Sequence, residues 1–224
     1  GASALVIFPD SEDTLFLAQN ADLLANFEMP IFMLNRGGEQ MNMNMVSFVS
    51  MDPLGDGVLA GELLRKNKCA DIIMLNEATG ACFWGTARFK GLEMEINRFE
   101  TPKIKLRNIP GTLENIATLA GIIAGSSDKV TVVAVNNQYA ALLADQCEAH
   151  GLRYPDNYNL ISFDDNPLYR SYNISSFGVP LREIGELFGR LICDDSWLSR
   201  YRGKITVKVS SVLNIRASFV PETH

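Results

Sequence analysis

The chain has 224 residues, a formal net charge of −6 and 47% hydrophobic residues, which is ample material for a folded core. The acidic balance argues against a DNA-binding face, which needs a basic cluster. No apolar run reaches the roughly 20 residues of a membrane-spanning helix. The four cysteines are scattered without a C-x-x-C pair and predict free thiols in a reducing cytoplasm. The two histidines are too far apart to predict a zinc site.

Short apolar runs alternate with longer amphipathic stretches from the first residues onward. The run Ala4–Phe8 predicts a strand, and Asp10 or Ser11 can cap a helix from Glu12 to about Asn26. The next predicted elements are strands over 31–34, 46–49 and 71–75, and helices over about 57–66 and 83–98.

The second half of the chain continues this alternation. Its clearest strand covers 130–135, which is apolar on both faces, β-branched and bounded by polar turns, so it predicts a parallel strand covered on both sides. Gly151 predicts a left-handed cap after a helix over 138–150. The remaining predictions are strands over 104–106, 159–163, 205–209 and 212–215, and helices over 113–123 and about 180–197. Such alternation predicts βαβ units and parallel sheets.

Short polar side chains follow several of these strands. They are Asn35-Arg36, Asp52, Asn136-Asn137 and Asp164-Asp165. Ligands of open parallel sheets bind outside the carboxyl ends of the strands, so these residues are candidates for contacting a small polar ligand. Asn and Asp at strand ends are also ordinary turn formers and helix caps, and for any single one of them that structural role is favoured.

Several segments, taken in order, are similar to those of a known family. Residues 160–168, Leu-Ile-Ser-Phe-Asp-Asp-Asn-Pro-Leu, resemble a strand ending in Gly-Phe-Asp-Asp, and residues 215–218 resemble a closing Val-Arg-x-Ser strand. Residues 88–91 resemble an Arg-x-x-Gly helix motif, 135–138 an Ala-Asn-Asp strand end, and 48–57 a Val-x-x-Asp-Asn segment. By their order and spacing, the chain resembles the effector-binding domain of lac repressor and galactose repressor (LacI/GalR) regulators over nearly all of its length.

The resemblance implies an α/β fold of the type I periplasmic-binding-protein-like kind, with two Rossmann-like lobes built on parallel sheets. We expect an N-terminal lobe of residues 1–52 plus about 178–203, and a C-terminal lobe of residues 53–177 plus about 204–222. The chain departs from the family at Ser162, usually glycine, at Asn137, usually aspartate, and at Asn67-Lys68, usually Gly-His. The family's opening βα unit and helix-turn-helix headpiece have no counterpart, so we expect an incomplete N-terminal lobe.

For the ligand site, the resemblance implies contacts from Asn35, Trp84, Arg88, Asn136 and Asp164. The fork of Arg88 can hold two ligand oxygens, and Asp164 can accept hydrogen bonds from hydroxyl groups. Trp84 offers a flat face to a sugar ring, although packing in the core is an equal alternative. These residues favour a sugar effector over a purine, and the resemblance implies no cofactor, metal or catalytic residue.

The implied function is that of an effector-binding and dimerisation domain of a cytoplasmic bacterial transcription regulator. Ligand-driven lobe closure in a homodimer would control DNA binding by a headpiece outside this chain. The alternative is a periplasmic sugar-binding protein of a transporter, which the four scattered cysteines and the Ile-Arg-Ala-Ser ending disfavour.

An enzyme is the second alternative. Gly55-x-Gly57-x-x-x-Gly61 loosely resembles a dinucleotide-binding motif, but Pro53 follows the strand and the third glycine is misplaced. A helix start with small packing residues explains these glycines better. The neighbouring carboxylates of Asp164 and Asp165 could be a catalytic pair, but adjacent side chains usually point apart. We therefore expect no enzyme.

Overall fold

The computed structural model of the chain describes residues 4–7, 19–20, 22, 31–34, 46–77, 83–98, 104–194 and 206–221. The chain divides into two compact units. The first unit comprises residues 1–52 and 180–210, and the second comprises residues 53–179 and 211–224. The described residues contain no helix that is both long and apolar enough to cross a membrane.

The strands and helices are numbered in chain order. The strands are β1 (Leu5–Ile7), β2 (Ile31–Leu34), β3 (Val46–Met51), β4 (Asp71–Asn76), β5 (Lys105–Pro110), β6 (Val130–Ala134), β7 (Tyr158–Asp164), β8 (Ser175–Gly178), β9 (Thr206–Val209) and β10 (Val212–Asn214). The helices are α1 (Pro53–Lys66), α2 (Phe83–Asn97), α3 (Leu113–Gly125), α4 (Asn137–Ala149) and α5 (Leu181–Cys193), with a 3-10 helix at Pro167–Tyr172.

Most of the predicted elements are present within a few residues of their expected ends. The main difference at a helix start is α1, which begins at Pro53 rather than at Gly57. Proline suits the first turn of a helix because the amide hydrogen it lacks has no partner there. The helix predicted from Glu12 to about Asn26 lies largely outside the described residues.

The first unit is built on a parallel sheet in the order β1-β2-β3-β9. The amphipathic helix α5 packs on this sheet through Ile184 and Phe188, which are four residues apart and therefore lie on one face. The ring of Phe188 meets that of Phe32 on β2 edge-on, with 5.9 Å between the ring centroids. This contact fixes the helix to the buried centre of the sheet.

One expected boundary is wrong. We placed the return to the C-terminal lobe at about residue 204, which assigned the strand over 205–209 to that lobe. In the structure β9 pairs in parallel with β3, and the chain enters the second unit only after Ser210. The backbone amide of Asp52 also donates to the carbonyl of Val209, which extends this pairing past the end of β3.

The second unit contains a sheet in the order β10-β8-β7-β6-β4-β5, in which every pairing is parallel except that of β10 with β8. Side chains alternate between two cores, as a strand period of two requires. Val132 faces the core on the side of α3 and α4, whereas Val133 faces the core on the side of α1 and α2. The sheet is therefore covered on both sides, as the apolar run over 130–135 predicts.

Glycines bring α1 and α2 together at backbone distance. A Cβ atom added to Gly57 would lie 2.0 Å from the carbonyl oxygen of Arg88, and one added to Gly91 would lie 2.1 Å from the carbonyl oxygen of Leu54. Further along, a Cβ atom added to Gly61 would lie 2.9 Å from that of Glu95. The contacts advance in the same direction along both helices, so the helices run parallel. These glycines are packing residues and not part of a nucleotide-binding loop.

Candidate functional site

The carboxyl ends of β4, β6 and β7 and the start of α2 meet at one edge of the second-unit sheet, here called the carboxyl edge. Arg88, on the first turns of α2, is fully buried there. Its Nη1 atom donates to the carbonyl oxygen of Val135 and its Nη2 atom donates to Oδ1 of Asp164, both at 2.8 Å. The guanidinium carbon lies 4.5 Å from the ring centroid of Phe163, so a cation–π contact supports the same position.

The Arg-x-x-Gly motif has a physical basis in this geometry. Gly91 lets α1 approach α2 at backbone distance, and Arg88, one turn earlier, extends towards the ends of β6 and β7. The Nε atom of Arg88 is buried and has no hydrogen-bond acceptor among the described residues. The guanidinium is thus held rigidly, with part of its donor capacity unused.

Asp164 is the partly exposed member of this ion pair. Its side chain is 39% exposed, so a carboxylate oxygen can accept hydrogen bonds from a ligand while the other is held by Arg88. The backbone φ angles of Asp164 and Asp165 are +83° and +50°, in the left-handed region that costs energy for a residue with a side chain. Strain of this kind is typical of functional positions.

Asp165 has different partners from Asp164. Its carboxylate accepts one hydrogen bond from Nη2 of Arg216 at 2.9 Å and one from the amide of Asn214, and it forms an ion pair with Nη1 of Arg216 at 2.7 Å. The two neighbouring carboxylates are therefore held by two separate arginines. A shared-proton catalytic pair requires both carboxylates on one reacting group, and this geometry does not provide it.

Asn136 is both a helix cap and a member of a polar chain. Its Oδ1 atom accepts from the amide of Tyr139 and caps α4, as its alternative structural role predicted. Its Nδ2 atom donates to Oε1 of Glu77 at 3.2 Å, and the hydroxyl of Tyr139 donates to Oε2 of the same carboxylate at 3.1 Å. Sequence reasoning missed Glu77, although its position directly after β4 matches that of the other strand-end candidates.

The other two predicted ligand contacts are Trp84 and Asn35. Trp84 lies in the first turn of α2 and is half-buried against the core that Leu92 and Phe163 share, so core packing accounts for part of its surface. The adjoining Gly85 lies against Asn76, whose amide donates to the Gly85 carbonyl oxygen. Asn35 lies outside the described residues.

Asn137 and Ser162, which both depart from the family pattern, contact each other. The amide of Asn137 donates to the hydroxyls of Ser162 at 2.6 Å and Ser176 at 3.0 Å, and its Oδ1 atom accepts from the backbone amide of Asn166. All three side chains in this cluster are buried. Serine at 162 supplies a hydroxyl that a glycine lacks, and the neutral Asn137 can donate to it where an aspartate could not. The two departures are therefore compatible with each other, because each supplies the hydrogen-bonding group that the other needs.

Taken together, the carboxyl edge offers charged and neutral hydrogen-bonding groups held in place by mutual contacts. Such a set suits recognition of a small neutral ligand with several hydroxyl groups, because most of the groups already have partners and keep their orientation. Within the described ranges, no three His, Cys, Asp or Glu side chains lie close enough to hold a metal ion.

The fold and this edge define a class of α/β small-molecule-binding proteins with ligand sites at the carboxyl ends of parallel strands. Residues 62–219 match the family described as "periplasmic binding protein-like domain", which is more than half of the chain. The chain belongs to that family. No curated protein matches the chain in sequence.

Solved structures of LacI-family regulators share the fold at low sequence identity. A LacI transcriptional regulator from a Rhodococcus species is 17% identical with a TM-score of 0.72, over 100% of this chain and 80% of the other. A LacI-family regulator from Enterococcus faecium, with bound ribose, is 18% identical with a TM-score of 0.71, over 100% and 81% of the two chains. The regulator CCPA from Weissella paramesenteroides, with bound sucrose, is 13% identical with a TM-score of 0.73, over 99% and 79%.

Proposed function

We propose that this chain is the effector-binding and dimerisation domain of a bacterial transcription regulator of the LacI/GalR type. A sugar is its effector, and binding drives closure of the two lobes, which alters how a DNA-binding headpiece outside this chain engages its operator. The domain acts in the cytoplasm as a homodimer and catalyses no reaction.

The observation that carries this proposal is the pair formed by Arg88 and Asp164. Arg88 is fully buried and bound on one side to the Val135 carbonyl, so it holds the Asp164 carboxylate in a fixed direction at the carboxyl edge. A carboxylate placed in this way binds a sugar by accepting from its hydroxyl groups, and its side chain does not have to be reoriented first.

The solved neighbours support a sugar as the ligand class, since related folds were crystallised with ribose, sucrose and cellobiose. The half-buried Trp84 supports the same class because an aromatic face can pack against the C–H side of a sugar ring. Asn136 adds an amide that is already oriented by Glu77 and by its own cap.

The proposal is tested by a thermal-shift screen of monosaccharides, disaccharides, sugar acids and nucleosides, followed by calorimetry on each hit. Asp164→Asn keeps the side-chain volume and leaves an oxygen for Arg88, but removes the charge that strengthens hydrogen bonds to the ligand. We expect it to weaken binding by about tenfold or more, because hydrogen bonds to charged groups contribute roughly 1.5–3 kcal/mol.

Glu93→Gln is the matched control, since it removes one carboxylate from an exposed position on α2. Equal affinity of both variants for a hit would contradict the assignment of Asp164 to the site. Oligomeric state is checked separately by sedimentation of the chain with and without the hit. A monomer in both conditions would favour the transporter-receptor alternative.

A further inference from the structure

The opposite, amino edge of the second-unit sheet contains a cavity of about 600 Å³. This volume lies within the range of roughly 300–1,000 Å³ that is typical of small-molecule sites. The cavity is here called the amino-edge groove, and it is lined by Asn67, Lys68, Cys69, Ala70, Asp71, Lys105, Asp128, Lys129, Thr131, Asn159, Phe219 and Val220. It therefore lies at the starts of four neighbouring strands, β4, β5, β6 and β7.

The charge of the groove contrasts with that of the chain as a whole. Three lysines and two aspartates line it, whereas the chain carries a net charge of −6. The carboxylate of Asp71 accepts from the guanidinium of Arg107 at 2.7 Å and lies 4.0 Å from the ammonium of Lys105, so Arg107 adds a further cation beside the Asp71–Lys105 pair. The groove is a local positive field in an acidic protein, which favours an anion.

Lys68 stands in a position that glycine would occupy at lower energy. The amide of Lys68 donates to the carbonyl of Arg65, and that of Cys69 donates to the carbonyl of Leu64. These two bonds form the Schellman motif that ends α1, with Lys68 as the residue after the cap. Its φ angle is +54°, in the left-handed region that is unfavourable for residues other than glycine. A lysine in a strained backbone position that also lines a cavity with two other lysines favours a role for its ammonium group.

The floor of the groove is neutral and can hydrogen-bond. The buried hydroxyl of Thr131 accepts from the amide of Asn159 at 3.2 Å, which orients both side chains at the amino ends of β6 and β7. Phe219 and Val220 add apolar surface beside them. The lining thus combines cations for an anionic group with polar and apolar contacts for an organic body.

We propose that the amino-edge groove binds a small organic phosphate, with Lys68, Lys105 and Lys129 contacting the phosphate oxygens. The groove takes a second ligand, separate from the sugar that we assign to the carboxyl edge. Both edges are connected by the parallel helices α1 and α2, since α1 ends at the groove and α2 carries Arg88.

Calorimetry of the full chain with inorganic pyrophosphate tests the proposal, because pyrophosphate presents the anionic group without a particular organic body. Lys68→Gly and Lys129→Ala should each weaken pyrophosphate binding by about fivefold or more, as expected for loss of a charge-assisted contact. Lys68→Gly should also raise the melting temperature because it relieves the backbone strain. A gain in stability together with a loss of binding cannot be explained by misfolding.

Lys90→Ala is the control, since it removes an exposed lysine of α2 that does not line the groove. Unchanged binding by Lys90→Ala and by Asp164→Asn would place the pyrophosphate in the amino-edge groove and away from the carboxyl edge. The proposal is overturned if the unaltered chain binds no pyrophosphate, or if Lys68→Gly and Lys129→Ala bind it as tightly as the unaltered chain. Loss of pyrophosphate binding leaves the sugar assignment standing, because the two titrations are independent.

Discussion

The carboxyl and amino edges of the second-unit sheet are built in opposite ways from the same strands. At the carboxyl edge, the polar groups are bound to one another, as in the pairs Arg88–Asp164 and Asn137–Ser162, and of these four side chains only that of Asp164 is partly exposed. At the amino edge, lysines such as Lys129 are exposed around an open groove. The first edge gives fixed directions for hydrogen bonding, and the second gives a positive field with mobile donors.

The difference shows how one scaffold can serve two kinds of ligand. Fixed, mutually bonded groups discriminate between neutral ligands by geometry, because a misplaced hydroxyl leaves a buried partner without its bond. Flexible ammonium groups recognise charge with little demand on geometry, and salt screens them strongly. The helix α1 ends just before the groove and α2 carries Arg88 at the carboxyl edge, so a change in the packing of these two helices should disturb both edges.

The largest effect is expected from Gly57→Ala, which should damage both edges at once. The added Cβ atom would lie 2.0 Å from a backbone oxygen of α2, so the two helices must separate. We expect the free energy of unfolding to fall by more than about 3 kcal/mol, since overpacking against backbone has no flexible neighbour to yield. Urea denaturation measures the change.

The matched control for that variant is Gly121→Ala on α3, where an added Cβ atom meets nothing within 4 Å. It should stabilise the protein by up to about 1 kcal/mol because alanine loses less backbone entropy than glycine in a helix. Similar destabilisation of the two variants would refute the close contact between α1 and α2.

A smaller effect, confined to the carboxyl edge, is expected from Arg88→Met. This change keeps the apolar bulk but removes the bonds to Val135 and Asp164 and the contact with the ring of Phe163. We expect a loss of about 2–3 kcal/mol in unfolding free energy, because a buried carbonyl is left without its donor while Asp164 stays partly hydrated. The affinity of this variant for pyrophosphate should be unchanged. A change in unfolding free energy below about 0.5 kcal/mol would show that the Arg88–Asp164 pair is not formed in solution.

The smallest effect is a pH dependence of stability that comes from Cys147, in the apolar interior near the amino edge. Burial raises the pKa of the Cys147 thiol to about 11. Between the ordinary thiol pKa and this value, the unfolded chain releases a proton that the folded chain retains. The contribution of Cys147 to the free energy of unfolding is therefore fully present below about pH 8.5. Between that pH and the folded pKa it is lost as the pH rises, by roughly 1.4 kcal/mol for each pH unit.

This pH dependence is checked by urea denaturation at pH 8 and pH 10. Cys147→Ala should show a smaller fall in stability between these values than the unaltered chain, whereas Cys193→Ala should not, because Cys193 is exposed. Burial raises the pKa of Tyr158 in the same direction, and the neighbouring Cys147 raises it further, so Cys147→Ala should reduce the fall in stability without abolishing it. An identical fall in Cys147→Ala would show that the thiol is not the group responsible.

The sequence predicted the parts of the site that depend on position along a strand or helix. Asn136 and Asp164 were predicted at the strand ends because they follow apolar runs, and Arg88 was named for its place in a motif with Gly91; the structure brings all three to the carboxyl edge. Glu77 follows β4 in the same way but was missed, since no motif drew attention to it. The three contacts of Asn137 were not predictable, because Ser162, Ser176 and Asn166 reach it only through strand order and through the turn after β7.

By itself, the sequence determined the alternation of strands and helices, the two-sided burial of β6 and the family resemblance. These features depend on the period of apolar residues and on motifs within a few tens of residues. Only the tertiary structure decided that β9 joins β3, that Arg88 holds Asp164, and that lysines from three separate segments surround one cavity. Each of these joins residues far apart in the chain, and such pairings are chosen by the packing of the whole sheet and its helices rather than by any local pattern.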